Sequence, residues 1–138
     1  MTINKNRITR FVNYLEENEI FVFGSNLSGR HGKGAAKQAL KWGAKYGVGN
    51  GIQGKTYGIP TVNSKITNRL SINKISKFVD EFINFARDNS QLNFLVTEIG
   101  CGLAGWSIKD IAPLFKDAIE VENISLPKSF WEVLKKEV

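Results

Sequence analysis

The chain of 138 residues has one cysteine, Cys101, and one histidine, His31. A lone cysteine excludes an internal disulfide framework and fits a reducing compartment. One Cys and one His cannot build a closed zinc site at ordinary ligand spacing, so no metal is expected. They make a nucleophile–base pair only if the fold brings them together. No stretch approaches the roughly 20 consecutive apolar residues that span a bilayer. The opening segment MTINKNRITR lacks the apolar core of a secretory signal. A soluble, cytoplasmic chain with no membrane partner is the expectation. Low-complexity tracts, linkers and internal repeats are absent as well. So are a Walker A motif and a G-x-G-x-x-G element at dinucleotide-binding spacing, and no cofactor is expected.

What is present suits one globular domain. The length lies near the modal domain size and can bury a substantial core. Apolar residues make up 42% and charged residues 23%, with a net charge of +6. Lys33, Lys37, Lys41 and Lys45 recur every four residues. That spacing describes a solvated helix face or an electropositive rim for a phosphate-bearing ligand or nucleic acid.

Periodicity divides the chain into alternating elements. Residues 7–17 place Ile8, Phe11, Val12 and Leu15 at helical spacing, so the N-terminal extension is expected to be helical. Short β-branched and aromatic runs predict strands at 19–24, 56–61 (ending at Pro60), 93–99 and 120–127. Helices are expected over 34–47 and 71–89, the latter capped by Ser71. Further helices are expected over 108–119, capped by Ser107, and over 129–137, capped by Ser129. Alternation of this kind specifies a three-layer α/β/α domain with a mixed, mostly parallel sheet. Ligands of such sheets sit beyond the carboxyl ends of the strands.

Two glycine-dense loops begin at those ends: FGSNLSGRHGKGAA after the first strand and GCGLAGW after the strand at 93–99. Gly24, Gly29, Gly32 and Gly34 in one, and Gly100, Gly102 and Gly105 in the other, let backbone approach a ligand closely. Each loop leads into a helix whose first N–H groups attract anions. Successive N–H groups in the second loop form an anion-binding concavity. Ser25 and Asn26 either bond ribose hydroxyls or cap the local turn. His31 is a phosphate or ribose contact, an acid–base group, or a solvent-exposed ring. Cys101 reads as a small buried thiol rather than a nucleophile. Trp106 either covers a base or ribose or packs at the helix start.

The two loops together resemble those of the macro domains, which bind ADP-ribose. FVFGSNLSGRHGKGAAKQA is similar to their Asn-bearing first loop and its Ala-rich helix. LVTEIGCGLAGWSIKDIAPLF is similar to their diphosphate loop, and YGIPT to the strand between. The likeness covers residues 19 to 119. GCGLAGW is closest to the branch of ADP-ribosyl-carboxylate and ADP-ribosyl-DNA hydrolases. The resemblance implies that Asn26 contacts ribose and that Gly32, Gly34 and Ala35 form the first turn. It also implies that Gly100, Cys101, Gly102, Leu103, Ala104, Gly105 and Trp106 surround the diphosphate, with Thr61 closing the middle strand. Two departures stand out. Val62 occupies the place of that branch's nucleophilic Lys, with Lys65 three residues off register. Ala104 occupies the place of its acidic residue. No acidic residue for adenine is identifiable, and Arg30 and Lys33 have no assured counterpart.

The expected function is therefore binding of ADP-ribose or a related NAD-derived nucleotide. One variant is a small phage or bacterial protein that sequesters a nucleotide signal. An ADP-ribosyl hydrolase that positions water with Asn26 is the alternative. Nucleic-acid binding driven by the net positive charge ranks third, because stacking aromatics do not interleave with the basic residues.

Overall fold

The computed structural model describes residues 2–102 and 104–137. Its five-stranded sheet has the order β2-β3-β1-β4-β5. The strands are β1 (Glu19–Asn26), β2 (Gly51–Gln53), β3 (Thr56–Val62), β4 (Asn93–Val96) and β5 (Ile124–Ser125). All neighbours run parallel except the β2–β3 hairpin. The chain is thus a three-layer α/β/α domain with a mostly parallel sheet.

The layers follow from the two-residue period of the central strand. In β1, Ile20 and Val22 face one side with Tyr57, Ile59, Phe94 and Val96. That face is covered by α2 (Ile72–Arg87), a 3-10 segment Ala112–Glu120 and α4 (Lys128–Glu137). Phe82 lies fully buried there, edge-on to Tyr57 at 5.1 Å and to Phe94 at 5.5 Å. Phe21, Phe23 and Leu95 face the other side, where α1 (Gly34–Ala39) lays Ala36 and Ala39 on them. Two small residues on a short helix bring backbone close to the sheet.

Several elements depart from expectation, each for a local reason. The N-terminal extension is not helical beyond a 3-10 turn at Lys5–Arg7. Ile8 instead pairs with Leu126 as a parallel bridge. The Arg7 guanidinium donates to the carbonyls of Ala118, Ile119, Val121 and Ile124. These long-range bonds outweigh an amphipathic pattern that has no partner helix, and the segment becomes an extended strap. The helix expected over 34–47 ends at Ala39, followed by a 3-10 turn and Gly43 at φ 107°. The four lysines therefore do not share one helix face. Pro113 confines α3 to Ile108–Ile111, and the chain continues as 3-10 helix. Strand β3 runs through Pro60 to Val62. Partner strand β2 stops opposite Gly58, so no ladder bond on that edge is lost at Pro60. The last strand is shortened to Ile124–Ser125. Ser129 lies inside α4 rather than capping it, and its hydroxyl bonds Glu98. Ser71 and Ser107 do cap their helices, the latter in a capping box with Asp110. Among the described residues, no helix is long and apolar enough to cross a membrane.

Candidate functional site

Parallel pairing puts the carboxyl ends of β1, β3 and β4 at one edge of the sheet. The chain leaves β1 to build β2 and β3 on one side, then returns to lay β4 on the other. Such a switch point opens a crevice beyond the strand ends. A cleft of about 770 Å³ lies there, between Gly24–Asn26, Arg30 with Gly32–Ala36, the end of β3, and Thr97–Gly100 with Gly102 and Ala104. Pairing slips between Ser25 and Asn26, leaving Thr61 as the extra residue of β3. A bulge re-aims the backbone at the cleft wall.

The first loop is folded by its own side chains. Asn26 Oδ1 accepts from the Arg30 N–H at 2.8 Å and the Ser28 hydroxyl at 2.9 Å. Its Nδ2 donates to the Arg30 carbonyl at 2.7 Å. The amide is mostly engaged in shaping the loop, which leaves one N–H for a ligand. The Ser25 hydroxyl donates to the Gly49 carbonyl, and Thr61 donates to the Ser25 carbonyl at 3.2 Å. All three residues are buried and line the cleft.

His31 belongs to the support rather than the wall. It is fully buried, edge-on to Phe23 at 5.4 Å. Its Nε2 meets two acceptors, the carbonyls of Lys45 at 2.8 Å and Val48 at 3.1 Å, so the proton sits on that nitrogen. The solvent-exposed and ligand-contact readings both give way to packing. Gly29 has the same role. Its φ is +71°, and a Cβ there would lie 2.2 Å from the Val48 nitrogen.

The second loop is held by backbone bonds, Gly105 N–H to Gly102 O at 3.0 Å and Trp106 N–H to Gly100 O at 2.8 Å. Gly100, Gly102 and Ala104 line the cleft; Gly105, Cys101 and Trp106 do not. The Trp106 indole donates to the Leu70 carbonyl at 3.2 Å, and the Arg69 guanidinium covers its ring at 3.5 Å. The ring face is therefore taken and does not serve a base. Cys101 is half-buried, its thiol aimed at the Ile99 carbonyl. Burial first, then the Glu98 and Asp110 charges, push its pKa up to about 11. A thiol at neutral pH is a poor nucleophile. Leu103 lies outside the described residues.

The glycines of the two loops divide by what they meet. At Gly32 and Gly102 a Cβ would touch nothing within 4 Å, and neither needs a positive φ. The fold does not require glycine at either place. The N–H groups of Gly32, Gly34, Gly102 and Ala104 find no acceptor among the described residues. Helices α1 and α3 have six and four residues, too short for much of the dipole expected to reinforce those N–H groups.

Sequence reasoning missed part of the wall. Arg30 and Lys33, which had no assured role, line the cleft as exposed cations. Thr97 and Glu98 line it because β4 ends at Val96, earlier than its apolar run suggested. Ile66 lines it from the loop after β3 and adopts φ +57°, unusual for a β-branched residue. Lys65, three residues off the register of the hydrolase lysine, stands outside the lining. Among the described residues, no three His, Cys, Asp or Glu side chains come close enough to hold a metal.

Comparison with known proteins bears on this architecture alone. No protein-family model matches the chain, and no curated protein matches it. One solved structure is similar: a protein of unknown function from Bacteroides thetaiotaomicron. It is 16% identical, with a TM-score of 0.57, covering 83% of this chain and 88% of that one. The fold is shared. The likeness carries no activity.

Proposed function

We propose that the chain binds ADP-ribose or a related NAD-derived nucleotide in the cleft, as macro domains do, and acts by holding it. One observation carries this reading: two loops from different strands face each other with glycines that the fold itself does not need. Gly32 and Gly102 leave open space at the cleft and N–H groups with no acceptor among the described residues. Backbone N–H groups of this kind suit the oxygens of a diphosphate. Arg30 and Lys33 supply positive charge on the same wall. Glu98 supplies an acceptor for ribose hydroxyls. The volume falls within the range of about 300–1,000 Å³ usual for small-molecule pockets.

Binding is favoured over hydrolysis through a covalent intermediate by the groups at hand. Cys101 keeps its proton and lies off the wall, and His31 is sealed behind the first loop. Val62 lines the cleft where the hydrolase branch of the resemblance carries lysine. Calorimetry with ADP-ribose and cyclic ADP-ribose isomers tests the reading. A ligand that binds only the native state raises the melting temperature. Replacing either Arg30 or Lys33 by Ala should weaken binding about tenfold or more, since each charge-assisted bond contributes about 1.5–3 kcal/mol. Neither heat nor thermal shift with any of these nucleotides would end the proposal. Release of free ADP-ribose from a modified protein or nucleic acid would favour the hydrolase instead.

A further inference from the structure

Charge is spread unevenly along the chain. Residues 20–79 carry ten Lys and Arg and no Asp or Glu, while the remaining 78 carry nine and thirteen. Among the described residues, none of the ten forms an ion pair. Like charges so arranged repel one another at a cost in stability.

Five of the ten belong to one layer. Arg30, Lys33, Lys37, Lys41 and Lys45 are exposed along the chain that leaves the first loop and runs through α1 and the 3-10 turn Leu40–Trp42. The lysines share no single helix face, yet all stay on the solvent side of the layer that covers Phe21 and Phe23. Arg30 and Lys33 reach the cleft; Lys37, Lys41 and Lys45 do not line it. Positive charge therefore continues from the cleft mouth over a surface that the cleft does not use.

An aromatic ring does stand among these cations. Tyr46 is 65% exposed. Its hydroxyl donates to the His31 carbonyl at 3.4 Å, and its ring lies 5.8 Å from that buried imidazole. The ring is thus tethered along the surface rather than projecting from it. Trp42 is not free in this way, since the Lys41 ammonium sits 4.6 Å from its ring centre.

We propose that this layer is a docking surface for single-stranded nucleic acid, separate from the nucleotide cleft. Lys37, Lys41 and Lys45 meet the phosphates, Arg30 and Lys33 add long-range attraction, and one base stacks on Tyr46. Cations along a backbone path with a ring for a base hold a strand without regard to its sequence. Lysine is depleted at protein–protein interfaces, which disfavours an acidic protein as the partner. A ring tied along the surface is poorly placed to enter a membrane. A duplex keeps its bases stacked on one another and would leave Tyr46 unused.

Fluorescence anisotropy with a labelled DNA or RNA strand of about 16 nucleotides, long enough for one binding surface, reads the affinity. With three phosphate contacts, log K should fall with log salt at a slope of about −2. Lys37→Glu, Lys41→Glu and Lys45→Glu together should remove that slope and weaken the strand about tenfold or more. The same reversal elsewhere, at Lys116, Lys135 and Lys136, should leave affinity within about twofold, because distant exposed charges are screened. Tyr46→Ala should weaken the strand about tenfold, and Tyr46→Trp should restore it. ADP-ribose should bind the first triple variant as it binds the unaltered chain. No binding by the unaltered chain, equal losses in the two triple variants, or full affinity in Tyr46→Ala overturns the proposal. So does tighter binding to a duplex of the same sequence or to phosphatidylserine vesicles. Should the first triple variant fail to fold, Tyr46→Ala and the salt slope of the unaltered chain decide the matter. A chain that binds the strand but not ADP-ribose would strike the nucleotide reading and leave this surface standing.

Discussion

The first glycine loop is shaped by side chains and the second by its own backbone. The Asn26 side chain holds the first together by three short bonds, two with Arg30 and one from the Ser28 hydroxyl, and His31 and Gly29 root it in the core. The second closes on itself through Gly105 and Trp106 N–H groups and leans on Arg69. Each solution leaves a glycine at the cleft that has no structural duty. The difference teaches that glycine content alone does not mark a binding loop; the informative glycines are those whose missing side chain nothing in the protein would fill.

Substitution at the two kinds of glycine tests this most sharply. Gly29→Ala adds a Cβ 2.2 Å from backbone at a positive φ. It should cost about 3 kcal/mol or more, from left-handed strain of about 1–2 kcal/mol plus the clash. Gly102→Ala should change stability by no more than about 0.5 kcal/mol, yet weaken ADP-ribose about tenfold or more. Denaturant unfolding beside calorimetry separates the two, and similar effects at both positions would erase the distinction.

A third wall copies the device of the first loop. Asn63 Oδ1 accepts from the N–H groups of Thr67 and Asn68, as Asn26 does from Arg30. The turn it folds carries Ile66 at φ +57° against the cleft. Asn tolerates that conformation far better than a β-branched residue. Ile66→Asn is therefore expected to stabilise the chain by about 1 kcal/mol while weakening the ligand. A lowered melting temperature would show that Ile66 earns its place by packing.

The smallest effect concerns the second loop alone. The Cys101 thiol has a pKa of about 11, above the ordinary value of 9.0. The folded state therefore holds its proton longer than the unfolded chain. The stability linked to this thiol is complete below pH 9 and falls as pH rises towards 11. Alkylation of the native protein should be slow near pH 8 and climb towards pH 11, whereas the unfolded chain should level off near pH 9. A native rate that levels off near pH 9 would contradict burial of this thiol.

Most of the fold was legible because short β-branched and aromatic runs and serine caps act locally. Ser71, Ser107 and the strands at β1, β3 and β4 needed nothing from afar. The strap was not legible. Its residues have helical spacing, and partners that include Leu126 and the carbonyls around Ile119, more than a hundred positions away, hold them extended. For the candidate site, the loops could be found from their glycines, but their individual roles could not. His31 and Trp106 look like ligand groups in a one-dimensional reading, and packing against Phe23 and Arg69 commits both elsewhere. Glu98 was hidden inside an apolar run that stops pairing two residues before it.

The Arg7 clasp has a consequence for the order in which the molecule assembles. One guanidinium gathers four carbonyls from a segment that lies 111 to 117 positions further along the chain. Closing so long a loop is entropically slow. The strap bearing Phe11 is therefore expected to close late in folding, after the shorter-range pairings of the sheet.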